Sequence, residues 1–152
     1  MRFDVLTLHP AMVEGPLGTS ILGRAREAGT LTIGVHDIRE HAHDRHRSVD
    51  DAPYGGGAGM VMRVDIVADA LAAVRTPDSR VLLTSPAGRP LTQADCVRWS
   101  KLPHLVIVTG HYEGIDARIE TLVDEEVSLG DFVLTGGEIA ATAIVDAVGR
   151  LV

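Results

Sequence analysis

Three of the five aromatic rings in this chain stand in glycine-rich stretches: Tyr54 in APYGGGAGM, Tyr112 in TGHYEGID and Phe132 in SLGDFVLTGGE. Glycine lets backbone approach a ligand closely, and a neighbouring ring offers a face to stack on, so the combination suits a flat heteroaromatic ligand better than a core. Three segments, LLTSPAG after Leu83, VTGHYEG after Val108 and VLTGGE after Leu134, read as loops that follow strands. Their glycines Gly88, Gly110, Gly114, Gly136 and Gly137 would let backbone N–H and C=O groups converge on one ligand, a geometry that suits an adenine edge. No loop spells G-x-G-x-x-G or G-x-x-x-x-G-K-[ST], and the run Gly55-Gly56-Gly57-Ala58-Gly59 precedes a helix without following a clear strand.

A second concentration of chemistry is HDIREHAHDRHR, His36 to Arg47, which packs four of the seven histidines beside Arg39, Arg45 and Arg47. It reads either as a solvated polar loop or as a local nucleic-acid contact. Binding of nucleic acid over the whole surface is excluded by a net charge of −7. A metal held by His41, His43 and His46 is disfavoured by the flanking arginines and by a spacing that does not form a helical pair. Asp50-Asp51 is open between loop salt bridges and a functional carboxylate, and Asp124-Glu125-Glu126 is expected to be a solvated acidic turn.

The elements that must position these loops follow from periodicity. Phe3–Leu8 reads as a strand, and a helix follows it through Met12, Leu17, Ile21 and Leu22, with Gly15-Pro16 expected to break or kink it. Leu31–Val35 reads as a second strand, and nothing between His36 and Met60 is periodic. Val64–Val74 is an alanine-rich amphipathic helix. Arg80–Thr84 is a short buried strand that a SPAGRP turn should end, and Thr92, at its N-cap, opens a helix to Lys101. Leu105–Thr109 is continuously apolar, the pattern of a strand covered on both faces; Phe132–Thr135 repeats it before a helix over Ile139–Val148. Phe3 and Trp99 are expected in the core. Strand and helix alternate, so the fold class is α/β, with a mostly parallel sheet and helices on both faces, in one domain.

Composition agrees: 45% apolar and 23% charged residues place the 152-residue chain among ordinary globular proteins. No apolar run approaches the ~20 residues of a membrane span. The start, MRFDVLTLHP, lacks the apolar stretch of a signal peptide, and the single Cys96 excludes an internal disulfide, so a cytoplasmic location is expected.

Four motifs in order, HDRHRSVDDAPYGGGAGMVM (His43 to Met62), LLTSPAGRPL, VTGHYEGIDARI and DEEVSLGDFVLTGGE, resemble the bacterial tRNA (guanine-N1)-methyltransferases of the SPOUT class, and the likeness runs from FDVLTLHP to Arg150. The resemblance implies a deep C-terminal trefoil knot, a homodimer with sites at the subunit interface, and methyl transfer from S-adenosylmethionine to N1 of guanosine at tRNA position 37. It implies cofactor contacts from Leu83, Thr84, Ser85, Pro86 and Gly88; from Gly110, Tyr112, Glu113 and Gly114; and from Ser128, Leu129, Gly130, Phe132, Leu134, Gly136 and Gly137. Tyr112 and Leu134 would flank the adenine, and Glu113 would stand near a magnesium ion. Arg45, His46, Arg47, Asp50 and Tyr54 would face tRNA, with Arg150 and Asp50 as catalytic residues.

The proposed chemistry is coherent. Guanine N1 carries a proton at neutral pH, so methylation needs a base for it and a cation for the charge that develops at O6. In the family the base is an aspartate just beyond the arginine that matches Arg150, followed by a helical domain that grips tRNA. The chain ends at Val152 and no acidic residue present matches that aspartate, so the expectation is an N-terminal domain that binds cofactor and methylates tRNA poorly or not at all. Two other readings stand beside it: a nucleotide-binding oxidoreductase domain, and a non-catalytic RNA-binding module built on His36 to Arg47.

Overall fold

The computed structural model describes all 152 residues. Five strands, β1 (Arg2–Thr7), β2 (Thr32–Asp37), β5 (Ser79–Pro90), β6 (His104–Thr109) and β7 (Glu125–Ser128), form one sheet in the order β2-β1-β6-β5-β7, and every pairing is parallel. Parallel strands need crossovers, and the crossovers supply the helices. Helices α1 (Ala11–Leu17), α2 (Ser20–Glu27), α4 (Gln93–Trp99) and α5 (Glu138–Gly149) cover one face, while α3 (Val64–Val74) and short 3-10 turns at Ile38–His41 and Ala117–Thr121 cover the other. A small antiparallel ladder, β3 (Asp50–Asp51) with β4 (Val61–Met62), lies outside the main sheet.

The period-2 alternation of the central strands divides the core. Phe3, Val5, Leu82, Leu105 and Ile107 pack against Leu17, Trp99, Ile144 and Val148; Leu6, Val81, Leu83, Val106 and Val108 pack against Ile66, Val67, Ala70 and Leu71. Phe3 and Trp99 are fully buried, as their setting predicts. Helix α3 spans the predicted residues, and α4 starts with a capping box: Thr92 Oγ1 accepts from the Asp95 N–H while the Asp95 side chain accepts from the Thr92 N–H.

Four local expectations are corrected. Gly15-Pro16 does not break the first helix: Pro16 lies in α1, and the break comes at Gly18-Thr19. The SPAGRP segment is not a turn. β5 continues through it with a bulge between Thr84 and Arg89, because Arg89 and Pro90 resume pairing with Val127 and Ser128. Phe132–Thr135 is not a strand; the fifth strand is β7, in the stretch expected to be an acidic turn. Glu125 is fixed there because its carboxylate accepts from Arg80, Arg89, Arg98 and the Trp99 indole N–H, at 2.6 to 3.2 Å. Asp124 accepts from the Val81 N–H at 2.7 Å.

Across the β2-β1-β6 part of the sheet, buried Asp4 is contacted by His36 Nε2 at 2.6 Å, His104 Nε2 at 2.7 Å and Arg2 Nε at 2.7 Å. The first histidine of the basic run is thereby taken out of the loop and into the structural frame.

Candidate functional site

The carboxyl ends of β5, β6 and β7 open onto one pocket of about 390 Å3. Position follows from topology: in a parallel sheet the chain leaves each strand at the same edge, so successive loops meet there. The β5 bulge supplies Leu83, Thr84, Ser85 and Pro86; the loop after β6 supplies Gly110, His111, Tyr112, Glu113 and Gly114; and the segment after β7 supplies Ser128, Leu129, Phe132, Leu134, Gly136 and Gly137.

The loops are bonded to one another. The Gly137 N–H donates to the Gly110 carbonyl at 2.9 Å, His111 and Gly136 form an isolated antiparallel bridge, and Ser128 Oγ donates to the Gly130 carbonyl at 2.8 Å. A Cβ on Gly137 would collide with Thr84 Oγ1 and crowd the Gly110 backbone, so these loops close only over glycine. Tyr112 adopts φ +58°, a left-handed conformation rare for a bulky residue, and its ring remains half exposed beside the pocket, as does that of Phe132.

The electrostatic character is one-sided. Glu113, Glu120 and Glu126 line the pocket, and no lysine or arginine does. Nearby Arg118 does not supply one, because it folds back on Asp116 with Nη2 to Oδ2 at 2.6 Å and holds that carboxyl down to about 2. A pocket of this sign attracts a cationic ligand and repels a phosphate-bearing one.

The segment that carries the basic run reaches the pocket from its rim. The Glu113 N–H donates to the Met60 carbonyl at 3.1 Å, the Met62 N–H to the Gly114 carbonyl at 2.9 Å, and the His111 N–H to Met62 Sδ at 3.2 Å. Gly59, at φ +85°, sits against the Glu113 side chain.

Of the sequence-predicted ligand contacts, Gly88 and Gly130 do not line the pocket. Gly88 instead packs on the Val127 backbone and Gly130 against the Phe132 ring. Arg45, His46, Arg47 and Tyr54 are exposed, Asp50 pairs with Met62 in the β3–β4 ladder, and Arg150 caps the C-terminus of α5; none of these six lines the pocket. Among the three glycine-associated rings, Tyr54 therefore stands apart from Tyr112 and Phe132. Sequence reasoning passed over His111 and Glu120 and took Glu126 for part of a solvated turn. It also passed over Glu138, which is wholly buried behind Gly136 with Oε1 accepting from Thr7 Oγ1 at 2.8 Å and Thr109 Oγ1 at 3.3 Å. A signal for His111 lay in its place inside the TGHYEG loop. Glu138 looked like any acidic residue in a helix's first turn.

A sequence profile for the family described as tRNA (Guanine-1)-methyltransferase TrmD matches residues 1–152. Curated relatives named tRNA (guanine-N(1)-)-methyltransferase include those of Chloroflexus aggregans, 58% identical over 156 residues, and Citrifermentans bemidjiense, 57% over 155; that of Syntrophomonas wolfei is 49% identical over 152. Each alignment covers 100% of this chain and 61 or 62% of the relative, so the chain spans about three-fifths of the length of the proteins it matches.

Proposed function

The chain belongs to the tRNA (guanine-N1)-methyltransferase family, and from that premise we propose that it forms the cofactor-binding part of an enzyme that methylates N1 of guanosine at tRNA position 37. The observation that carries this reading is the sign of the pocket. A nucleoside site walled by Glu113, Glu120 and Glu126 without a lysine or arginine suits S-adenosylmethionine, whose sulfonium and ammonium are positive, and argues against an oxidoreductase pocket for a pyrophosphate-bridged dinucleotide.

The pocket residues fit that cofactor in size and chemistry: about 390 Å3, two half-exposed rings for a flat base, and backbone groups on glycine loops for its edge. Bound there, the cofactor would supply an activated methyl group. Tyr112 and Leu134 would hold the base, Gly110 and Gly136 would let backbone reach it, and the three glutamates would attract the fixed positive charge of the sulfonium. These residues contribute alignment, which is most of what transfer from an already activated donor requires.

The residues fit magnesium less well. Glu113 carries the carboxylate, but no group of three or more His, Cys, Asp or Glu side chains converges to hold a metal ion. For tRNA, the proposed contacts are Arg45, His46, Arg47, Asp50 and Tyr54, with Arg150 answering the charge that develops at guanine O6. Asp50 and Arg150 lie outside the pocket of their own chain, which supports a homodimer in which a second copy completes the site. Exposed Met12 and Ile139, beside a groove that also contains Pro16, Thr142 and Ala143, offer an apolar surface for it. The SPOUT knot belongs to the same proposal. The segment after β7 passes against the loop after β6, and the Gly137 to Gly110 bond supports such a crossing. No helix is long and apolar enough to cross a membrane, and a cytoplasmic location goes with a tRNA substrate.

The deciding experiment is calorimetric titration with S-adenosylmethionine, with a Tyr112→Ala, Gly136→Val variant as control, followed by a methylation assay on a defined tRNA transcript. The expected result is saturable binding near one site per subunit, lost in the variant, with little or no methylation by these residues alone. A folded chain that binds NAD but not S-adenosylmethionine would overturn the reading.

A further inference from the structure

Two buried side-chain atoms in this protein lack a hydrogen-bond partner, and they face each other: His111 Nδ1 and Glu138 Oε2, 3.5 Å apart. A buried carboxylate oxygen without a donor is costly, so the pair requires an account. Thr7 Oγ1 donates to Oε1 at 2.8 Å, and Thr109 Oγ1, whose single proton also faces the nearer Leu6 carbonyl at 3.0 Å, reaches the same oxygen at 3.3 Å, which leaves Oε2 with one donor within reach, the imidazole at Nδ1. An imidazole that keeps its proton on Nδ1 for a carboxylate presents a bare lone pair at Nε2.

The ring is held for that purpose. The His9 ring packs 4.5 Å away at a tilt, the Tyr112 ring meets it edge-on at 5.6 Å, and the His111 N–H is fixed on Met62 Sδ. Gly136 lies over the pair so closely that a Cβ would strike both His111 Nδ1 and Glu138 Oε2. His111 lines the pocket, Nε2 is not among the buried unpartnered atoms, and no protein group bonds to it. The buried nitrogen thus faces the carboxylate and the other is left for the ligand side.

We propose that Glu138 is a positioning residue that holds His111 with its proton on Nδ1, so that Nε2 stands at the pocket wall as a hydrogen-bond acceptor for a hydroxyl or amino group of the bound nucleoside. The proposal rests on the pocket taking a nucleoside cofactor, as argued above. It assigns His111 a specificity role: a ligand with a donor at that point is accepted, and one with an acceptor or a methylated donor there is rejected.

The tautomer is read on the ligand-free chain by long-range 1H–15N correlation of the histidine rings. The expected result for His111 is a protonated Nδ1 and an unprotonated Nε2. In Glu138→Gln the amide can itself donate to Nδ1, so the proton moves to Nε2, and affinity for S-adenosylmethionine falls about tenfold, the equivalent of one hydrogen bond. His111→Gln, whose side-chain oxygen can occupy the Nε2 position, should bind within about threefold of the wild type and become insensitive to Glu138→Gln. Should Glu138→Gln fail to fold, His111→Gln against His111→Ala decides: a tenfold gap supports the acceptor role, and equal affinities overturn it. A proton on Nε2 in the wild type overturns the proposal, as does unchanged affinity in a folded Glu138→Gln variant. A wild-type chain with the expected tautomer that does not bind S-adenosylmethionine instead overturns the nucleoside reading, and the acceptor role with it.

Discussion

Arg89 places Nη2 2.6 Å from Glu125 Oε2, and its Nη1 lies equally close to Asp95 Oδ2, so one guanidinium beyond the β5 bulge ties β7 to the start of α4. Arg98 binds the same two carboxylates and Arg80 adds a further contact to Glu125. Hydrogen bonds from Arg98 first, then from Arg89, Trp99 and Arg80, hold the Glu125 carboxyl well below the ordinary carboxylate range, and Arg89 chiefly does the same for Asp95. A carboxyl depressed in the folded state contributes its stability above the unfolded value, near 4, and loses it as pH falls toward the folded value. The urea midpoint should therefore be flat from about pH 7 to 5 and fall below about 4. Glu125→Gln should cost about 2 kcal/mol at pH 7 and flatten that acid limb. An acid limb as steep in the variant as in the parent would contradict this assignment.

Gly137 and Gly88 separate binding from stability. Gly137→Ala forces a methyl group into Thr84 and Thr109 where two ligand loops cross, and should abolish S-adenosylmethionine binding measured by calorimetry. Gly88→Ala drives into the Val127 backbone, where β5 meets β7, and should lower stability by about 1–3 kcal/mol in urea unfolding.

Tyr112 should show the opposite trade. Its left-handed backbone is unfavourable for any residue with a Cβ, so Tyr112→Gly should hold or raise the melting midpoint, by up to about 1 kcal/mol in stability, while the loss of the ring weakens cofactor binding. A variant that lost stability and kept its affinity would show that the ring serves packing rather than ligand.

Arg45 and Arg47 are exposed and make no ion pair. If they meet tRNA phosphates, replacing either with alanine should weaken tRNA binding across sequences and reduce the slope of log affinity against log salt by about 1. The measurement is a filter-binding or fluorescence titration at several salt concentrations, with S-adenosylmethionine affinity as the unaffected control.

Legibility followed the range of the forces. The α3 register and the Thr92 cap depend on neighbours within a turn or two, and both were readable from the sequence. The loop after β6 was readable, because its strand is continuously apolar and a parallel sheet sends its loops to one edge whatever the strand order; the other two pocket segments were picked out by their glycines, with the strands that carry them misread. Glu125 and Glu138 were not readable. Each is defined by partners distant in sequence, Arg80 for one and Thr7 for the other, and an acidic residue with distant partners looks like a solvated one. The same holds for SPAGRP, whose turn-forming residues are overridden by pairing with β7. Tyr54 differs from the other two rings: its glycines give it freedom but no neighbours, and it lies fully exposed away from the pocket.

The strand order β2-β1-β6-β5-β7 also governs how the molecule is made. β1 lies between β2 and β6, and its Arg2 register partner on the second side is His104. A chain emerging from the ribosome can form the β1–β2 pair early, but the inner edge of β1 stays open until β6, about a hundred residues later, has been synthesised, and the ligand pocket cannot close before β7 and α5 have followed. Late closure of distant parallel pairings is slow and leaves strand edges exposed to other chains. Yield during expression should therefore respond more to temperature and chaperone supply than the equilibrium stability of the finished fold would indicate.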